Sequence, residues 1–163
     1  MISKNFKAIN KKILTEYGFS FFNKKFYLLL NNIIIRIQYR PYPFEKGQMI
    51  AYDILIKELV KGYKLDSLHE IEKAFDDITE IPAQMPALKN IIVQVREKKQ
   101  NVFYPTELEM DSWAKEFKAV INHLFNPFKE NDLVEMKSLV LSKQADEKII
   151  VNNRIKEYLL NRR

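Results

Sequence analysis

The sequence predicts an α+β fold: an N-terminal helix, an antiparallel sheet of about four to five strands, and C-terminal helices packed on one face of that sheet. Hydrophobic residues repeat at helical spacing near the start and through the last third of the chain, and apolar and polar residues alternate in between. Turn-forming residues separate these segments. The chain has 163 residues, 47% of them hydrophobic and 29% charged, so we expect one domain over residues 1–163.

The first predicted helix covers Lys4–Tyr17. Its apolar residues share one stripe, and its lysines lie outside that stripe. Ser3 can cap the helix, and Gly18 can take the left-handed conformation that ends it. The stripe consists of Phe6, Ile9, Ile13 and Tyr17.

Strands are predicted for the aromatic and β-branched segments that follow. Asn31-Asn32 suits a two-residue hairpin turn, because asparagine tolerates a positive φ. In the third strand the odd-numbered residues from Ile33 to Tyr39 share the core face, and Arg36, Gln38 and Arg40 share a face that we expect to be solvated. The segments are Phe19–Phe22, Lys25–Leu30, Ile33–Tyr39, Met49–Lys57 and Asn90–Arg96.

One helix is predicted between the last two strands, over residues 68–79, with Ser67 and Glu70 as a capping box. A loop should follow at Ile81–Pro86. Further helices are predicted after a second capping box at Thr106 and Glu109, and over Leu133–Leu141 and Glu147–Leu160.

Trp113 begins the apolar face of the helix after Thr106, and Pro127 is expected to end that helix. A face this wide should be buried against the sheet or against the stripe of the first helix. The other residues of the face are Phe117, Val120, Ile121 and Leu124.

The composition excludes several classes of chemistry. Three glycines argue against a glycine-rich nucleotide loop, and the lack of cysteine excludes disulfides and thiolate metal sites. Motifs of hydrolases, nucleotide-binding enzymes and zinc proteases are missing from the sequence. We therefore expect a protein that is not an enzyme and that uses no cofactor.

The two histidines each allow a specific hypothesis. His69 could join Glu72 and Asp76 in a metal site on one helix. The alternative, which we favour, is an ordinary solvated acidic face, so no metal is expected. His123 is interpreted as a residue near a helix C-terminus, where the dipole favours it.

The net charge of +6 is unevenly distributed. Residues 1–46 contain nine basic side chains but only two acidic ones, Glu16 and Glu45, whereas residues 47–90 are net acidic. A basic surface attracts nucleic acid, anionic lipid or an acidic protein, although lysines also serve solubility alone. No signal-peptide core or membrane span is visible, so we expect a cytoplasmic protein without membrane association.

The predicted solvated sheet face supplies the candidate binding residues. Arginines suit phosphate and carboxylate ligands, and Tyr27, Tyr39 and Tyr42 could add aromatic surface as in sheets that bind single strands. Cross-strand Arg–Asp pairs would explain the same pattern structurally. The candidate residues are Arg36, Gln38, Arg40, Asp53 and Arg96.

Two patches resemble a family of small uncharacterised bacterial domains of unknown function. The first comprises Ile13-Leu14, Tyr17-Gly18-Phe19, Phe26-Tyr27 and Arg36-Ile37-Gln38, and the second is Val120–Phe128. The acidic residues 66–80 and the final helix have no counterpart in that family. The resemblance implies an α+β fold in a bacterial cytoplasm and assigns no catalytic residue.

The function predicted from these observations is that of a non-catalytic binding or accessory protein, of the immunity type, which blocks or positions a protein partner through a charged surface. The alternative is a nucleic-acid-binding module that uses a basic sheet face, whose binding would weaken steeply with salt.

Overall fold

A computed structural model describes residues 4–41, 48–60, 62–80, 92–95, 110–142, 149–150 and 153–161. It confirms the α+β fold, with an N-terminal helix, an antiparallel sheet and C-terminal helices. The strands are β1 (Ser20–Phe22), β2 (Lys25–Leu29), β3 (Ile33–Pro41), β4 (Gln48–Ile56), β5 (Ile92–Val95) and β6 (Ile149–Ile150). The helices are α1 (Lys4–Tyr17), α2 (Leu68–Glu80), α3 (Met110–Glu130), α4 (Asp132–Ser142) and α5 (Asn153–Leu160).

The strands form one six-stranded sheet in the order in which they occur in the chain, and every neighbouring pair is antiparallel. The β3–β4 ladder runs from Ile33 opposite Ile56 to Pro41 opposite Gln48. β6 adds a short strand to the five segments predicted. It lies within the helix predicted over Glu147–Leu160, which is wrong at its start, because a two-residue strand is too short to show a period.

Helix α1 has the predicted bounds, Lys4–Tyr17, and Gly18 directly follows its last residue. The Gly18 N–H donates to the Thr15 carbonyl at 3.2 Å and the Phe19 N–H donates to the Leu14 carbonyl at 3.0 Å. These are the two hydrogen bonds of a Schellman motif, and the φ of +127° at Gly18 favours glycine. Ser3 lies outside the described residues. The buried centre of the helix is Phe6, Asn10 and Leu14, and the other stripe residues are half-buried.

The turn at Asn31-Asn32 does not use the positive φ angles on which its prediction depended. Those residues do join β2 to β3, but the non-glycine residues with positive φ in the described chain are Asn23, at 48°, and Lys24, at 64°. These two form the turn between β1 and β2. Asn32 is held instead by Asp132, which accepts hydrogen bonds from its backbone N–H at 2.6 Å and from its Nδ2 at 2.9 Å.

One face of the sheet, called the first face, carries Ile33, Ile35, Ile37 and Ile54 and packs in one core with residues of α1, α3, α4 and α5. Trp113 is buried there, which confirms that prediction. Its ring lies 5.1 Å from that of Phe6 and 5.2 Å from that of Phe117. Its partner is therefore the α1 stripe, one of the two surfaces predicted.

The second face of the sheet carries Tyr27, Ile34, Arg36, Asp53 and Leu55 and is covered by α2 through Ile71, Ala74 and Phe75. Ser67 caps α2 as predicted, because its Oγ accepts a hydrogen bond from the Glu70 N–H at 3.2 Å. Helices therefore lie against both faces of the sheet.

Pro127 does not end α3, contrary to the prediction. The helix continues to Glu130, and Phe125 and Phe128 are buried on either side of the proline. Proline removes one helical hydrogen bond, and burial of the two aromatic rings beside it favours the continued helix. Asn131 then caps α4 through its side chain to the Val134 N–H at 3.2 Å. The loop at Ile81–Pro86 and the Thr106–Glu109 capping box lie outside the described residues.

Candidate functional site

The prediction of a solvated platform on the sheet is wrong, because the central residues of that platform are buried. Arg36 and Asp53 are both about 1% exposed, because α2 covers the second face of the sheet. Gln38 is half-buried and donates a hydrogen bond from Nε2 to Asp53 Oδ2 at 3.2 Å. The side chain of Arg40 lies outside the described part of the chain, as does Arg96. The alternative explanation, a cross-strand Arg–Asp pair, describes what Arg36 and Asp53 form.

Arg36 forms two ion pairs, one with Asp53 on the neighbouring strand β4 and one with Asp76 on α2. Its Nη2 lies 3.0 Å from Asp53 Oδ2 and its Nη1 lies 2.8 Å from Asp76 Oδ1. The guanidinium carbon is 4.7 Å from the centre of the Phe75 ring. Burial alone would lower the pKa of Arg36, but the charge of Asp53 and hydrogen bonds to both carboxylates raise it above its ordinary value. This cluster stabilises the α2–sheet contact and presents no open cation to a ligand.

The predicted aromatic surface of the platform is divided between the two faces. Tyr27 is fully buried on the second face, where burial raises its pKa above the ordinary value. Tyr39 packs against the core of the first face. Tyr42 is not among the described residues. Tyr27 and Tyr39 therefore do not form one surface for stacked bases.

The hypothetical metal ligands on α2 are not directed to a common point in solvent. Glu72 accepts hydrogen bonds from Asn23 Nδ2 at 2.9 Å and from the Tyr27 hydroxyl at 3.4 Å. Asp76 pairs with Arg36, and His69 is exposed. Within the described ranges no group of three or more histidine, cysteine or acidic residues is placed to hold a metal. The expectation of a solvated acidic face is wrong for Glu72, whose side chain is 12% exposed, and holds in part for Asp76, which pairs with Arg36 but stays 39% exposed.

The two histidines are on opposite sides of the sheet. His69 is on α2, which covers the second face, and His123 is on α3, which packs on the first face. His123 is exposed and lies well before the end of α3 at Glu130, so it does not cap that terminus as predicted. A site that needs both imidazoles cannot form in this arrangement.

The strongest candidate site is a groove between α1 and the first hairpin, which we call the lysine–aromatic groove. It has a volume of about 380 Å³. Its wall is mostly apolar and its charged side chains are all lysines. The residues that line it are Lys7, Ala8, Lys11, Phe21, Lys24, Phe26 and Tyr39.

The fold assembles this groove from three parts of the chain. Lys7, Ala8 and Lys11 lie on one side of α1, outside its buried stripe. Phe21 and Phe26 are opposite each other in the β1–β2 ladder, so both rings are on the first face of the sheet. Tyr39 follows Ile37 by two residues on β3 and shares that face. The groove is thus the part of the first face that α1 leaves open.

Lysines and aromatic rings contact each other within the groove. Lys11 Nζ lies 4.1 Å from the centre of the Phe21 ring, and Lys7 Nζ lies 5.7 Å from that of Tyr39. Asn10 Nδ2 donates a hydrogen bond to the Tyr39 hydroxyl at 3.0 Å. Burial raises the pKa of Tyr39, and the bond from Asn10 opposes that rise. Tyr39 is therefore neutral at pH 7, and the groove is cationic.

Sequence reasoning did not identify this groove, although two of its signals are visible in the chain. The lysines of α1 fall outside the apolar stripe, and residues 1–46 are strongly basic. The missing information was that the first hairpin folds back beside those lysines. In the sequence alone, Phe21 and Phe26 look like ordinary strand residues.

Comparisons with family models, with curated proteins and with solved structures found no match for this chain. The resemblance to small bacterial domains therefore remains a prediction. Across the helices that the structure describes, none is both long and apolar enough to cross a membrane.

Proposed function

We propose that this protein is a non-catalytic binding protein, of an accessory or immunity type, that blocks or positions an acidic protein partner. The lysine–aromatic groove is the observation that carries this proposal. It combines an apolar surface, which gives affinity when covered, with cations that select the sign of the partner's charge.

Charge supports an acidic partner. Lys7, Lys11 and Lys24 are exposed, and none of the described residues that line the groove is acidic. Lys12 is exposed on the same helix and adds to the positive potential of this side. Such a field raises the association rate of an oppositely charged protein and disfavours basic ones.

The polar groups of the groove support binding over catalysis. They are three lysine ammonium groups and the hydroxyl of Tyr39. General acid–base chemistry near neutral pH usually needs a histidine, or a carboxyl or lysine with a shifted pKa, beside the reacting group. The two histidines are on α2 and α3, away from this groove.

The alternative of a nucleic-acid-binding sheet loses part of its support in this fold. It depended on the basic residues 1–46 and on arginines exposed on one sheet face, and Arg36 is buried between Asp53 and Asp76. Binding of a nucleic acid is therefore treated as one possible outcome of the experiment described next.

The experiment is capture of partners from a lysate of the source organism on the immobilised protein. The triple variant K7Q/K11Q/K24Q should lose the captured protein. The matched control K64Q/K73Q/K115Q removes the same charge from lysines that are exposed elsewhere and should retain it. Equal capture by both variants would overturn the proposal, as would capture that nuclease treatment abolishes.

A further inference from the structure

We infer that the groove binds an acidic segment that carries one bulky apolar side chain, inserted between α1 and β1, with carboxylates on both sides of it. This inference rests on the proposed function and specifies the chemistry of the partner.

The apolar part of the inference follows from the walls of the groove. Phe21 is 40% exposed although it is a large hydrophobic residue, and it lies beside the buried Phe26 at a ring distance of 4.9 Å. Ala8 contributes only a methyl group to the opposite wall. The volume of about 380 Å³ is at the small end of ligand pockets, which suits one large side chain with its neighbours.

The charged part follows from where the lysines are placed. Lys7 and Lys11 are one helical turn apart on α1, so they form one rim. Lys24 is in the turn between β1 and β2 and forms part of the other rim. A ligand whose apolar side chain enters between the rims would present flanking carboxylates to both.

The same observations disfavour a nucleic acid. Its bases stack on open aromatic planes, whereas the Phe21 ring already contacts Lys11 and Phe26. The polar edges of a base would also meet a mostly apolar wall and lose hydrogen bonds to water.

The test measures fluorescence anisotropy of labelled probes at low salt. The first probe is a short peptide with one phenylalanine flanked by glutamates, and the second has serine in place of the phenylalanine. We expect the first to bind about tenfold more tightly or better, since an aromatic side chain is buried. A third probe with lysines in place of the glutamates should not bind, and short oligothymidylate should bind more weakly than the first.

Two variants separate the apolar and charged contributions. Ala8→Leu fills the groove without changing charge and keeps a good helix former at this position, and it should remove the preference for phenylalanine over serine. K11Q/K24Q should weaken both acidic probes about tenfold, and K64Q/K73Q should weaken neither. Circular dichroism and thermal unfolding establish that each variant is folded.

Each outcome has a defined meaning. Equal binding of the two acidic peptides, or a preference that survives Ala8→Leu, would contradict the inference that an apolar side chain enters the groove. Tighter binding of oligothymidylate that depends on the groove residues would contradict the inference that the ligand is a peptide. If no peptide binds but lysate capture still depends on Lys7, Lys11 and Lys24, this inference fails and the proposed function stands.

Discussion

Arg36 and Asp53 lie directly opposite each other in the β3–β4 ladder, and their side chains form an ion pair of 3.0 Å beneath α2. The same guanidinium reaches Asp76 of α2 at 2.8 Å. One buried cation thus links two strands and a helix. It lies beside the apolar cluster through which α2 packs on the sheet.

Removal of Arg36 should be strongly destabilising. We expect Arg36→Met to lower the free energy of unfolding by about 3–5 kcal/mol, because the buried carboxylate of Asp53 loses the cation beside it. Asp53→Asn should cost less, since Arg36 keeps its ion pair with Asp76. Urea denaturation measures this. Gln38→Ala removes a neutral donor to the same carboxylate, so it should cost less than Arg36→Met, about 1.5–3 kcal/mol. A smaller loss for Arg36→Met than for Gln38→Ala would contradict the role assigned to the pair.

The contact between α2 and the first hairpin should weaken in acid. Burial would raise the pKa of Glu72, but hydrogen bonds from Asn23, Lys25 and Tyr27 and the charge of Lys25 hold it below the ordinary value of 4.5. The unfolded state therefore binds this proton at a higher pH than the folded state. The stabilisation is complete above pH 4.5 and is lost as the pH falls through the lowered pKa.

Glu72→Gln tests this assignment. The variant should be less stable than the parent at neutral pH, and the difference should shrink as the pH falls below 4.5. Thermal unfolding measured across pH 3–7 gives both curves. A difference that is constant with pH would show that the carboxylate charge contributes nothing.

Gly18→Ala should destabilise the end of α1. The backbone at Gly18 has a φ of +127°, which a residue with a Cβ rarely adopts, and the nearest atom to an added Cβ is Leu28 Cδ1 at an ordinary 3.7 Å. The cost is therefore backbone strain rather than a clash. We expect a loss of about 1 kcal/mol or more in chemical denaturation. Glu16→Ala, at an exposed site in the same turn, should change stability by no more than about 0.5 kcal/mol.

Trp113 should report a native core by its fluorescence. Its Nε1 donates a hydrogen bond to Asn10 Oδ1 at 2.6 Å, and its ring stacks on Phe117. Emission of the folded protein should be blue-shifted and poorly quenched by iodide. Trp113→Ala should cost about 3–5 kcal/mol, and Trp113→Phe less, since the larger part of the ring packing remains. Red-shifted, freely quenched native emission would contradict this burial.

Local patterns predicted the elements better than their surroundings. The bounds of α1 and the cap at Ser67 depend on residues close in sequence, and the structure confirms both. Alternation in β3 correctly indicated that Arg36 and Gln38 differ in face from Ile35. It could not indicate that α2 covers their face, because alternation shows which residues share a face of the sheet and does not show which element packs against that face.

The candidate site was less predictable for the same reason. The groove depends on α1, β1 and β3, which are separated along the chain, and its lysines look like ordinary helix surface. The contact between Asp132 and Asn32 is a second feature that the sequence does not predict, because it joins residues a hundred positions apart. No local pattern around either residue indicates that contact.

The order of the sheet has a consequence for how the chain folds. Strands β1 to β4 are joined by short connections, whereas residues 57–91 separate β4 from β5 and residues 96–148 separate β5 from β6. Closing a longer loop costs more entropy, so the first four strands should pair early and the last two should join late. Pulse-labelled hydrogen exchange should then protect β3 and β4 amides first. The earliest ordered part of the molecule would be the hairpins that carry Phe21, Phe26 and Tyr39, so this side of the lysine–aromatic groove would form before the C-terminal helices dock.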